Sequence, residues 1–497
     1  MPRPSSPGLA DRPARLVVQA VLLVGPAVLA FRAGGFFDGP RAVAAVTAWV
    51  LVALSALTFA QPFPGGTPAR VGLGALAALS AWVAIGASWA PLGGPAQDDL
   101  IRDLLYLGAL LLAITAWRRR EELRRVEPVL AAGALVVVGY GLAGRLVPGI
   151  VEQETSISAA GRLDQPLTYW NAMGALAAIG FVLCARVSGD TARPLALRAA
   201  AAASAVPLAA GVYVSFSRGA LAALAVGVVV LLLLAPGRQQ LGAAAIALVA
   251  GGLAAVAASL LPGVESLAGS AADRRADGLV MLAVLLVLAA AAGGAVARLA
   301  REGAGERQPA EPARALKRPG LVAALALLLI IGAPLAAAAL DDSGENAPEG
   351  ATAGRLSEVG SNRYDYWEVA LGQFADDPLR GGGSGSFEVE WRREREIDEA
   401  VGDAHSLPLE TAAELGLIGL ALLAALVGAV ALAARRSWRA DPSLTSGMAA
   451  ALTVWGVHTC LDWDWEMPAL TLVAVVLAGA LLAAEELRDE LSAPPAG

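Results

Sequence analysis

Runs of about twenty apolar residues, separated by short polar breaks, recur along almost the whole chain. A run of that length crosses the roughly 30 Å hydrocarbon layer of a bilayer as a helix. The bilayer offers backbone groups no water to bond, so each span must satisfy its own amides and carbonyls. The pattern predicts spans at 15–31, 42–60, 71–90, 100–117, 127–147, 168–186, 197–214, 218–235, 240–261, 278–297, 319–340, 407–433, 445–460 and 467–484. The expected fold is therefore all-α, a polytopic transmembrane helix bundle of about 14 spans, with 12–14 as the range. One polar interval breaks the rhythm. Residues 341–406 form a loop of about 65 residues between the eleventh and twelfth spans, far longer than ordinary helix connections. The chain divides accordingly into a bundle at 1–340, the loop at 341–406, and the last three spans with a short tail at 407–497.

Within the loop, DDSGENAPEGATAG has the composition of a flexible linker. RYDYWEVALGQFADDP then places Trp367, Ala370, Leu371 and Phe374 at i, i+3, i+4 and i+7, which predicts an amphipathic helix lying on the membrane or capping the bundle. LRGGGSGSF follows. It resembles a phosphate-cradling loop, but no strand precedes it and no G-K-[ST] closes it, so a sharp turn over the bundle is expected.

Composition agrees with the pattern. The chain is 57% hydrophobic and 16% charged, against roughly 25% charged in an ordinary soluble domain. The net charge of −7 says less than where the charges fall. The segments 117–127, 185–198, 298–318 and 435–443 together hold 17 Lys and Arg, whereas 91–99, 147–166 and 460–468 are acidic or sparsely basic. Basic residues mark cytoplasmic loops, so both termini are expected inside the cell and the large loop outside. The basic loops read as topology determinants, and no nucleic-acid partner is expected. The N-terminal basic residues ahead of an apolar run imitate a signal peptide, but no small-residue cleavage site follows, so the first helix is expected to be retained. Cys184 and Cys460 fall in spans near opposite faces, which argues against a disulfide or a shared metal. No internal repeat suggests an inverted-repeat transporter.

Under this topology the unusual polar residues collect at the outer face. They are Arg162 and Asn171 at the start of the sixth span, and Arg218 at the junction of the seventh and eighth. Arg363 is in the loop, His405, Glu410 and Glu414 are at the mouth of the twelfth span, and His458 and Asp462 are at the end of the thirteenth. Ionisable groups at membrane depth are costly and usually face a cavity or a partner. A single arginine at a span end is commonly a snorkelling anchor, but several on one face suit a diphosphate, whose oxygens match the guanidinium fork. A neutral histidine beside them can take a proton from an attacking hydroxyl. Glu410 and Glu414 are expected to hold that histidine or to pair with Arg218. For Glu410 a plain helix-capping role is equally open. The DWD at 462–464 matches a metal-binding D-x-D, but on an outer face, where nucleotide sugars are scarce, no metal is expected.

SFSRGALAAL, NRYDYWEVALGQFADDPLRGGGSGSF and AHSLPLETAAELGLIGL, in that order about one large loop, resemble the O-antigen ligase and polymerase superfamily. GRLDQPLTYWNAMGALAAIG is similar to actinobacterial-type members, so the resemblance covers about 155–435. It implies a metal-independent, cofactor-free glycosyltransferase of the bacterial cytoplasmic membrane. Such an enzyme moves a glycan from a polyprenyl diphosphate carrier to the hydroxyl of a glycan, glycolipid or other acceptor outside the cell. By the same resemblance Ser217, Arg218 and Gly219 match the family's Ser-Arg-Gly element. Arg363, with Tyr364 and Trp367, matches its loop arginine, and His405 its loop histidine. Ser406 departs from the Asn the family often places next. Arg162, Arg218 and Arg363 would hold the diphosphate, and His405 would activate the acceptor. Ligase and polymerase share this donor chemistry and differ in the acceptor. A transporter or flippase for a lipid-linked anion, and a scaffold whose loop only binds, remain open alternatives.

Overall fold

The computed structural model describes residues 11–154, 156–303 and 362–488. The expected span at 319–340 and the start of the large loop lie outside the described residues. Every other expected span coincides with a helix. The first are α1 (Asp11–Ala30), α2 (Asp38–Thr58), α3 (Thr67–Gly86) and α4 (Gly93–Thr115), then a single turn α5 (Arg120–Leu123) and α6 (Val126–Leu146). Next come α7 (Trp170–Gly189), α8 (Leu195–Val214), α9 (Arg218–Leu234), α10 (Arg238–Ser259), the short α11 (Pro262–Glu265) and α12 (Ala271–Gly303). The loop contributes α13 (Arg363–Asp376) and α14 (Phe387–Glu394), and α15 (Leu407–Ala440), α16 (Pro442–His458) and α17 (Pro468–Glu486) complete the bundle. The described residues contain no strand.

Ten helices among the described residues are long and apolar enough to cross a membrane. Helices α4, α9 and α16 are not among these ten. The start of α4 carries Asp98, Asp99, Arg102 and Asp103, while α9 and α16 have 17 residues each. Helices α7 and α17 are wholly enclosed at the centre. At the periphery, α2 turns Val43, Val46, Val50, Leu54 and Leu57 outward, the surface that lipid tails cover in a bilayer.

Charged residues sort to the two ends of the bundle. At one end Arg120 donates to Asp441 at 2.7 Å, Arg186 to the Ser443 carbonyl at 2.6 Å, and Arg193 to the buried Glu127 at 2.6 Å. These bonds tie together the arginine-rich segments 117–127, 185–198 and 435–443. The opposite end, where α7, α9 and α15 begin and α16 finishes, carries the cap built by α13 and α14.

The cap has its own small core of Tyr366, Ala370, Phe387, Trp391, Ala404 and Ala413. The face of α13 buried there is Tyr366, Ala370 and Gln373; of the expected Trp367–Ala370–Leu371–Phe374 stripe, Ala370 is buried and Trp367 packs against this core, whereas Leu371 is 52% exposed. The aromatic pair Tyr366–Trp391, edge to face at 4.9 Å, rotates the helix to that side.

Beneath the cap α15 is broken. Gly416 has φ +64° and ψ −162°, a conformation closed to residues with a Cβ. The glycine-rich segment inserts at the break. Gly382 and Gly383 donate to the carbonyls of Ala413 and Glu414 at 3.0 and 2.8 Å, and the amides of Leu417 and Ile418 donate to Pro378 and Leu379 at 2.8 and 3.3 Å. Backbone groups freed by the break are thereby bonded within the protein, as membrane depth demands.

A candidate active site at the mouth of the bundle

The corner between α16 and α17 holds the centre of the site. Asp462 pairs with Arg363 at 2.6 Å across 99 residues of sequence. Its other oxygen accepts the Tyr169 hydroxyl at 2.6 Å and the Trp463 amide at 3.0 Å. Asn171, in the first turn of α7, donates to that same Tyr169 hydroxyl at 2.7 Å. Burial works to raise the Asp462 carboxyl pKa, but Arg363, with His405 and His458, draws it below the usual carboxylate value. The group is thus held as an anion that fixes the arginine at the mouth of the bundle.

His458 and Asp464 form a second pair at 2.6 Å, both side chains fully enclosed. The imidazole edge lies beside Gly219, where a Cβ would stand 3.4 Å from Nε2, and among the described residues the buried Nε2 has no hydrogen-bond partner. The two carboxylates of the DWD therefore diverge, one to arginine and one to histidine. Among the described residues no three His, Cys, Asp or Glu side chains group to hold a metal ion.

His405 is brought over this corner because the Leu407 amide, at the start of α15, donates to the Thr459 carbonyl at the end of α16, at 2.9 Å. Its ring lies 5.2 Å from that of Tyr366 and 6.5 Å from that of Trp463. Asp403 grips it twice, with Oδ1 at 2.8 Å from ring Nδ1 and 3.1 Å from the His405 amide nitrogen. Burial would lower the His405 pKa, but the charge and hydrogen bond of Asp403 lift it above the ordinary imidazole value. His405 has φ +50°, and Thr168 and Phe216, each preceding a site residue, have φ +64° and +49°. Left-handed backbone in residues other than glycine is uncommon and tends to gather at functional sites.

Ser217 caps α9 by accepting the Ala220 amide at 3.2 Å, which sets Arg218 as the first residue of that helix. Gly174 of α7 allows this approach, since a Cβ there would lie 2.5 Å from the Ser215 hydroxyl and 2.9 Å from Ala220. Arg162 stacks on Trp170 at 3.5 Å and donates to the carbonyls of Ala159 and Ser158 at 2.7 and 2.6 Å, binding its own loop together. Tyr364 and Trp367 meet edge to face at 5.6 Å on α13.

The two glutamates both bond backbone amides. Glu410 accepts the Ala404 amide at 3.1 Å, one residue before the histidine. Glu414 turns its carboxylate to the glycine-rich segment and accepts the amides of Gly385 and Phe387 at 2.9 and 3.0 Å. Neither bonds the His405 ring. A buried carboxylate takes up nearby unsatisfied amides, and here the turn leading into α14 and the segment ahead of α15 supply them. Those same bonds commit the Gly385 and Phe387 amides to protein, which removes them from any phosphate cradle. Asp464 enters the sequence reading only within the DWD at 462–464, and Asp403 and Tyr169 are not singled out there. Their one sequence signal is position, each lying within a few residues of a group that is.

Residues 203–424 match the family model described as O-antigen ligase. The match runs from α8 into α15 and takes in Ser217, Arg218, Arg363, His405, Glu410 and Glu414. A search of curated proteins finds no match.

Proposed function

We propose that this membrane protein, which carries an O-antigen ligase domain over residues 203–424, moves a glycan from a polyprenyl diphosphate carrier to an acceptor hydroxyl outside the cell. The observation that carries the reading is the meeting of Arg363 and His405 over one buried carboxylate, Asp462, at the end of the bundle opposite the arginine-rich loops. Arginine beside a basic histidine suits an anionic leaving group opposite a hydroxyl nucleophile. In this reading both termini are cytoplasmic and the helices form about fourteen spans.

Arg363 and Arg218 bind the diphosphate and stabilise the charge that builds on it as the glycosidic bond breaks. Arg218 stands at the positive end of the α9 dipole, which favours an anion further. Arg162, engaged with its own loop, acts by holding that rim in shape. His405 takes the acceptor proton as the acceptor oxygen attacks the sugar carbon. A single displacement of this kind inverts configuration there. Bound arginine supplies charge but no force for moving a lipid across the bilayer, and the titratable groups gather at one end and not at the midplane, which favours transfer over transport.

The test is His405→Ala in the full chain. The variant is expected to reach the membrane at the normal level, to bind the lipid-linked glycan, and to transfer it at least about a hundredfold more slowly, the usual scale of a lost general base. Transfer at the native rate by purified His405→Ala protein removes the histidine from the reaction.

A further inference from the structure

We infer that Asp403 is the positioning residue for His405, binding the ring through Nδ1 so that Nε2 is the nitrogen offered to the acceptor. For its chemistry the inference rests on the glycosyl-transfer reading; for its geometry it rests on the pair alone. One carboxylate oxygen of Asp403 sits 2.8 Å from Nδ1 and 3.1 Å from the amide nitrogen of the same histidine. A carboxylate accepts only, so Nδ1 carries the proton and Nε2 the lone pair in the neutral ring. The amide bond holds the backbone at φ +50°, a conformation that costs energy and persists only where its surroundings impose it. The Asp403 peptide oxygen, 3.3 Å from Nδ1, lies on the same side of the ring.

Other groups face the ring without replacing Asp403. Asp462, from the corner before α17, and Arg363, from α13, act on it through charge in opposite senses, and Tyr366 of α13 packs on its face. Glu410 bonds the Ala404 amide instead. In the transfer step the acceptor O–H proton passes to Nε2 while the acceptor oxygen bonds to the sugar carbon. The bond from that carbon to the diphosphate oxygen breaks, and its electron pair leaves with the diphosphate. Asp403 remains ionised and stabilises the imidazolium that results.

The chain contains two histidines, so the full-length protein labelled with 15N-histidine yields two imidazole signals, and His458 serves as an internal control. In the native protein His405 is expected to titrate above the ordinary value of about 6.5, with Nδ1 protonated in the neutral form. Asp403→Asn should bring that titration down toward the ordinary value and leave the His458 signal in place. With lipid diphosphate glycan and acceptor, the same variant should lower kcat about a hundredfold, keep the donor KM within about twofold, and move the rising limb of the pH–rate profile to lower pH. Asp403→Glu should recover part of both effects. Unchanged His405 titration and an unchanged pH profile in Asp403→Asn overturn the inference. Absence of transfer by the native protein overturns the glycosyl-transfer reading instead, while the titration still decides the Asp403–His405 pair.

Discussion

His458 and Asp464 show how much a single residue depends on its partner here. Both side chains are fully enclosed and joined at 2.6 Å. Removing one member of a buried pair leaves the other desolvated and uncompensated, which costs about 3 kcal/mol. Asp464→Asn is accordingly expected to destabilise the protein by about that much, read as a fall in thermal midpoint in detergent. Adding His458→Gln should restore part of the loss, because the uncompensated group is then gone, and strictly additive effects would show that the two do not act as a pair. At this scale the sequence was partly legible. His405, His458 and Asp462 stand out because they gather with several arginines at one face of the apolar runs, and Arg363 stands out by the resemblance of its loop motif. Their partners do not. Tyr169 finds Asp462 across 293 residues, a pairing that exists only once α7 and the α16–α17 corner have packed.

At the scale of the element, hydropathy locates the helices well because the membrane imposes length and composition together. It is blind to the break in α15. Gly416 lies in AAELGLIGL, where a glycine is unremarkable in a spanning helix, and the break is decided by carbonyls and amides arriving from 378–383. The rotated face of α13 has the same origin, since the partner aromatics Phe387 and Trp391 lie beyond the turn. The broken helix leads to a contrast between two glycines. A Cβ at Gly416 would meet the Leu379 carbonyl oxygen at 2.4 Å, with φ at +64°. Gly402, on the same cap, has nothing within 4 Å. Gly416→Ala should lose about 1–3 kcal/mol to a backbone region that is essentially glycine's alone, and the clash adds to it. The cap should become sensitive to protease near residues 380–387 while the helical circular dichroism of the bundle stays unchanged. Gly402→Ala should behave as native. Equal protection of the cap in both variants would show that the inserted loop does not depend on the break.

At the scale of the whole molecule, the basic loops and the acidic corner are separated by the length of the bundle, and that separation orients the chain in the membrane. Arg120, Arg186, Arg193 and Arg436 sit at one end bonded to Asp441, the Ser443 carbonyl, Glu127 and Glu485. Arg363, His405 and Asp462 sit at the other. Arginine-rich loops are cytoplasmic by the charge rule, so in the proposed reading the site faces outward, toward a lipid-linked glycan. Two positions read this out directly. Gly402 lies in the cap, and Arg439 is exposed at the far end of α15. Cys184 and Cys460 are both free thiols and are first replaced by alanine. In that background, on intact cells, a membrane-impermeant maleimide should label Gly402→Cys fully. Arg439→Cys should be labelled only after the membrane is opened. The cap and the arginine end are joined by one continuous helix interrupted only at Gly416, so the two positions must report opposite sides. Labelling of Arg439→Cys from outside would place the histidine and its arginine in the cytoplasm, away from any acceptor beyond the membrane, and the transfer reading would fall with it.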